Sequence, residues 1–245
     1  MKAFRIAVLA AGLFGAAQAG AAPVIWTNWT SGTAGAAGSA AGAIDLGPAG
    51  ADASDIAVSY GGEIQFIQTA PATNYWTGPN TTYQSALVDN RPGSTDIIAL
   101  SRATSKTLTF SQAVDNLFFA VVSLNGNGYS FNEDFEIVSF GPGFWGNGTL
   151  TKQLVGSEFR LIGAGEPHGV IRFNRAVSSI TWSSLTNENW NGFTVGTYGL
   201  APPPVDLPPV DPPTTPAIPE PSTYALMALG LAALAGVARR RKNRP

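Results

Sequence analysis

Cysteine is absent from the 245 residues, which excludes disulfide frameworks, thiol catalysis and Cys-ligated zinc. Histidine occurs once, at His168, so a multi-histidine metal site is excluded as well. Charge is scarce: Asp, Glu, Lys and Arg make up 12% of the chain, about half the ~25% of an average soluble protein. Between Pro23 and Leu200 seven basic residues stand against thirteen acidic ones, a net charge of −6. No basic stripe is available to track a phosphate backbone, so nucleic acid is not an expected partner. A sustained helical period is missing too, which argues against a helical bundle.

What remains is apolar and heavily punctuated. Hydrophobic residues make up 44%, enough for a core, and 28 Gly with 18 Pro break the chain into short pieces. Residues 106–110 (KTLTF) alternate, with Leu108 and Phe110 on one face. Residues 115–124 (DNLFFAVVSL) run almost continuously apolar, as a strand inside a sandwich core does. Segments 134–140, 158–163, 170–174, 177–184 and 193–198 continue the series at spacings near ten residues. This pattern predicts an all-β fold, a jelly-roll-like or Ig-like β-sandwich over residues 22–200. The Gly/Ala-rich stretch 31–43 reads as a long mobile loop.

The two ends carry targeting chemistry. Lys2 and Arg5, an apolar run from Ile6 to Ala17, and the small residues Ala17 and Ala19 form a signal-peptide pattern over residues 1–21. At the other end, residues 201–221 hold ten prolines, a semi-rigid polyproline spacer ending in Pro219, Glu220 and Pro221. Residues 222–238 are uncharged and form an expected membrane-spanning sorting helix of seventeen residues, the short end of that range. Arg239, Arg240, Arg241 and Lys242 then open a basic tail, 239–245, that stays cytoplasmic by the positive-inside rule.

Pro-Glu-Pro, an Ala/Leu/Gly-rich helix and a terminal Arg cluster, in that order, resemble the PEP-CTERM sorting signal. The resemblance implies export through the inner membrane, transient anchoring there, and processing near Pro219–Pro221 by a membrane-embedded exosortase. A plain membrane anchor on a Pro-rich stalk is the alternative that hydrophobicity alone leaves open. Eight of the seventeen helix positions are Ala or Gly, which makes a small-residue face suited to close helix contact.

Within the exported domain no catalytic motif is present, and no cofactor is expected. Tyr75, Trp76, Phe144 and Trp145 lie in Gly/Pro/Asn-rich stretches and are candidate glycan contacts, since exposed rings stack on sugar faces. Asn125, Asn127, Asn132, Glu133 and Asp134 are oxygen-bearing and make a weak calcium candidate, although their spacing does not match the regular calcium loop. Among the carboxylates, Glu133, Asp134, Glu136, Glu158, Glu166 and Glu188 are the groups a glycosidase would draw on. His168 is expected on the surface or in a loop, and Trp26 and Trp182 in the core. The chain therefore reads as an exported, non-catalytic structural protein of the envelope or exopolysaccharide-associated matrix. A carbohydrate-binding surface module is the alternative, and a glycosidase or lyase the third reading.

Overall fold

The computed structural model describes residues 23–47, 55–93 and 95–200. The expected signal peptide (1–21), Pro-rich linker (201–221), sorting helix (222–238) and basic tail (239–245) lie outside the described residues. Among the described residues, no helix is long and apolar enough to cross a membrane.

The described chain is all-β. In order it forms β1 (Ile25–Trp26), β2 (Asn28–Thr33), β3 (Gly35–Ile44), β4 (Ile56–Ile64) and β5 (Phe66–Gln68). A four-residue helix α1 (Asn80–Tyr83) follows, then β6 (Ile97–Leu100), β7 (Ser105–Asp115), β8 (Phe118–Val122) and β9 (Gly128–Phe131). The last strands are β10 (Phe135–Gly141), β11 (Gly148–Val155), β12 (Glu158–Gly165), β13 (His168–Phe173), β14 (Val177–Ser184), β15 (Asn191–Thr197) and β16 (Gly199–Leu200).

These strands make two antiparallel sheets, a β-sandwich. One runs β10-β13-β8-β15-β6-β5, with β1 added on β15. The other runs β11-β12-β9-β14-β7-β4-β3-β2, with β16 added on β7. The core between them takes alternate residues from each strand, as the two-residue period of a strand requires. Phe119 and Val121 of β8 and Phe193 of β15 meet Leu108 of β7, Phe131 of β9 and Trp182 of β14 in one buried cluster. Phe119 stacks on Phe193 with centroids 4.8 Å apart, and Trp182 stands edge-on to Phe119 at 5.4 Å.

A second apolar layer explains the unbroken run in β8. Phe118, Ala120 and Val122, the other parity of that strand, pack with Trp76, Tyr83 and Val88. The segment between β5 and β6 therefore covers the outer face of the first sheet. A strand buried on both faces loses the apolar/polar alternation. Trp76 is consequently 0% exposed, with its indole N–H donating to the Asp96 carbonyl at 3.2 Å. The expectation of an exposed Trp76 is corrected here: its Gly/Pro/Asn-rich context marks a connection, but this connection is an inner layer.

Two further expectations change. The Gly/Ala-rich stretch 31–43 is no loop; it forms the end of β2 and nearly all of β3, which pairs with β4. A ladder needs only backbone N–H and C=O groups, and this stretch has no Pro to remove a donor. Small residues are also required there: a Cβ on Gly42 would lie 2.5 Å from the Asn28 carbonyl oxygen. Trp26 is half-buried rather than central, while Trp182 is in the core as expected. Lys106 shares the inward parity of Leu108 and Phe110 on β7 and is buried with them. Its ammonium donates to the carbonyls of Arg102 and Thr104 (2.5 and 2.8 Å) and to Ser184 Oγ (2.9 Å). Burial pulls its pKa down to about 8, with the Glu63 charge opposing the shift.

Candidate functional site

Four connections converge at one end of the sandwich: those following β8, β10, β12 and β14. Ser123, Asn125, Trp145, Glu166, Glu188, Asn189 and Trp190 from these connections line a cleft of about 240 Å³. That is below the ~300–1,000 Å³ of a drug-sized pocket, and it suits one small ring at a time.

The rings form a continuous band. Phe144 and Trp145 sit at the tip of a loop closed by the Gly143 N–H donating to the Gly146 carbonyl at 2.7 Å. They are 39% and 53% exposed, Trp145 being the most accessible aromatic ring among the described residues. Tyr75 packs edge-on against Phe144 at 5.0 Å and against Trp190 at 4.9 Å. Trp145 meets Trp190 at 6.2 Å, and Phe66 of β5 supports Trp190 from below at 5.1 Å. The structure thus brings Tyr75, Phe144 and Trp145 together with Trp190 and places Trp76 in the inner layer instead.

The carboxylates are fixed by neutral donors. Glu166 accepts from the Ser123 hydroxyl through one oxygen and from the Asn125 amide through the other. Ser123 holds a left-handed backbone, φ 55°, directly after β8. Such a conformation costs of order 1–3 kcal/mol for a non-glycine residue and clusters at functional sites. Glu188 Oε1 accepts from the Asn127 amide at 2.8 Å and from the Asn191 amide, whose carbonyl takes the Tyr129 hydroxyl. Asn127 also clasps the connection after β14, accepting from Thr186 N–H at 2.9 Å and donating to its carbonyl at 3.0 Å. Burial raises the Glu188 pKa above the usual carboxylate value, the amide donors oppose this, and the Glu166 charge adds to it.

Beneath the Phe144–Trp145 loop lies His168, the first residue of β13. It is buried, which corrects the expected surface position. Its Nδ1 faces the Tyr83 hydroxyl at 3.3 Å, and its Nε2 has no hydrogen-bond partner. The ring lies against Gly143 so closely that a Cβ there would fall 2.3 Å from the imidazole. Pro167-His168-Gly169 reads as a turn in sequence, but Gly169 and His168 pair with Phe140 and Gly141 of β10.

The calcium candidates are divided by β9. Asn125 lines the cleft and the buried Asn127 holds Glu188 there, whereas Asn132, Glu133 and Asp134 lie at the far end of that strand. There Glu133 pairs with Arg175, Asp134 with Lys152, and Asn132 Oδ1 accepts from Thr181 N–H at 2.9 Å. Among the described residues, no three His, Asp or Glu side chains come together as a metal cluster.

No curated protein and no solved structure matches the chain. Residues 217–242, however, match the PEP-CTERM protein-sorting motif, covering Pro219, Glu220, Pro221, the apolar segment 222–238 and Arg239 to Lys242. The chain carries a PEP-CTERM sorting motif. This motif implies an exported protein, sorted at the membrane and processed by an exosortase. A PEP-CTERM tail addresses the protein and says nothing of what its sandwich binds, so the cleft must be read from its own chemistry. Glu166 and Glu188 are among the six carboxylates singled out in the sequence, whereas Trp190, Asn189 and Ser123 are not, and nothing in the sequence pairs those two carboxylates with the rings. Trp190 has the signal that marked Tyr75 and Trp145, an aromatic in an Asn-rich connection (NENWNG), while the others come together only through the fold.

Proposed function

We propose that this exported, exosortase-sorted protein is a non-catalytic carbohydrate-binding component of the cell envelope or exopolysaccharide matrix. The observation that supports the reading is the joint presence, in one cleft, of the exposed Trp145 indole, the half-buried Trp190 indole and hydrogen-bonding side chains. Trp145 and Trp190 offer apolar faces to a sugar ring, and Asn125, Asn189 and the two carboxylates offer partners to its hydroxyls. Glu166 and Glu188 in one cleft also raise glycoside hydrolysis as a second reading. Binding is favoured because both Glu166 oxygens and Glu188 Oε1 are already held by donors, while a general acid must present a proton to the leaving oxygen.

Trp145→Ala is expected to reduce retention on polysaccharide columns at least tenfold and to move the thermal midpoint by less than about 2 °C, since a half-exposed ring contributes little to the core. Unchanged retention on every polysaccharide that binds the wild type overturns the assignment of this cleft. Release of reducing ends from any of them supports the hydrolytic reading instead.

Intact-mass measurement on protein from the native envelope checks the address. The mature chain is expected to lack the first nineteen to twenty-one residues and residues 222–245. A mass that retains 222–245 supports the plain anchor.

A further inference from the structure

We propose that the cleft takes an amino-sugar polymer with free amines, whose ammonium group lies against Glu166 and Glu188 while a ring face rests on Trp145 and Trp190. This inference rests on the carbohydrate-binding reading of the same cleft and narrows its ligand class.

The argument is one of uncompensated charge beside aromatic faces. Four ion pairs are present among the described residues, and they use Asp134, Glu158, Glu136 and Glu133. Glu166 and Glu188 take part in none of them; their donors are a hydroxyl and amides, all neutral. Two carboxylates therefore line the same cleft with no ion-pair partner among the described residues. An ionised carboxylate has about four acceptor positions, so the fixed donors leave capacity on both groups for a ligand.

Each class of polysaccharide meets this arrangement differently. A uronic-acid polymer brings a third negative charge into the cleft, and the domain's net −6 adds to the repulsion. A neutral glycan gains the stacking and hydroxyl hydrogen bonds but leaves the charge of the carboxylates unmatched. A protonated amino sugar gains both, because an ammonium group is attracted by carboxylates and by the negative face of an indole. A divalent cation is the less suitable occupant, since it seeks six to eight oxygens and two indoles take up part of this lining.

The test compares one polymer in two states. Purified full-length protein is titrated, in the presence of EDTA and at mildly acidic pH, with deacetylated chitosan oligomers and with the same oligomers after N-acetylation. A neutral glucan and polygalacturonate serve as further arms. The free-amine form is expected to bind at least tenfold more tightly than its acetylated form, and polygalacturonate is expected not to bind. Glu166→Gln is expected to abolish most of that preference for the free-amine form, and Trp145→Ala to weaken binding of both forms.

Equal affinity for the acetylated and free-amine oligomers overturns the inference and leaves the carbohydrate-binding reading intact. So does binding that EDTA removes, which would mark a bridging metal ion. Free-amine binding that survives Trp145→Ala also overturns it, because it would be general attraction to an acidic surface. Absence of binding to every polymer removes both the inference and the reading. The acetylation comparison uses wild-type protein alone, so it decides the matter even if a variant fails to fold.

Discussion

Trp76→Ala is expected to lower the thermal midpoint of the protein by roughly 6–20 °C, the largest loss among the ring substitutions considered for the cleft end. Removing a fully buried Trp costs about 3–5 kcal/mol, and a domain of this size loses about 2–4 °C per kcal/mol. Trp76 is 0% exposed and stands edge-on to Tyr83 at 5.6 Å in the layer that covers Phe118, Ala120 and Val122. The substitution opens a cavity in that layer and removes the indole donor from the Asp96 carbonyl. Trp145→Ala is expected to behave oppositely, with binding lost and stability kept. Differential scanning calorimetry of the two variants side by side checks the contrast. A midpoint shift below about 2 °C for Trp76→Ala would show that the ring is not a core residue.

Acid is expected to destabilise the protein by about 3 kcal/mol as pH falls from 6.5 to 4, through His168 alone. Burial without a partner on Nε2 brings the His168 pKa down from its ordinary 6.5 to about 4. The folded state therefore refuses a proton that the unfolded chain accepts below 6.5. Stability due to the neutral ring is fully present above 6.5 and is lost progressively down to about 4. Glu188 acts in the opposite sense near the lower end of this window. Its raised pKa lets the folded state take a proton before the unfolded state does, which adds stability as pH falls. Asp134 and Glu158 have lowered pKa values, so their contribution is lost only at pH below their ordinary values of 3.8 and 4.5.

The difference between wild type and His168→Gln isolates the imidazole from these carboxylates. Urea denaturation at a series of pH values is expected to show a steeper slope for wild type between 6.5 and 4. Parallel slopes would mean that His168 titrates normally in the folded protein. Because Gly143 packs on the imidazole, the same protonation is expected to disturb the loop that carries Phe144 and Trp145. Loss of glycan retention is expected to accompany the acid transition at lower denaturant than global unfolding.

Much of the fold was legible because its signals are local. Segments 106–110, 158–163 and 177–184 fall within strands, and 170–174 and 193–198 overrun theirs by one residue each, since alternation along a strand is decided by neighbours two residues apart. The failures come from places where a distant segment supplies the missing partner. The stretch 31–43 has almost no side-chain signal for a strand, and it becomes one because β4 offers Ile56, Val58 and Tyr60 beside it. Lys106 obeys the alternation that marked Leu108 and Phe110, yet its burial needs three oxygen acceptors, one of them from β14.

By itself, the amino-acid sequence determined the address and the class of this protein. A sorting tail is a linear device, read by a processing enzyme in chain order, so Pro219–Glu220–Pro221, the apolar segment and the Arg cluster were recognisable without any fold. The all-β class likewise follows from period and punctuation. Only the tertiary structure decided which aromatics are free and which carboxylates meet. Tyr75 and Trp76 are adjacent in sequence and look alike in context, but one lines the aromatic band and the other fills an inner layer. Ser123, Trp145, Glu166 and Trp190 lie in four separate connections, and sandwich topology alone places those connections at one end. The physical reason is that a ring's role depends on whether another layer covers it, and a charge's role on what stands opposite it. Both are properties of packing between segments far apart in the chain.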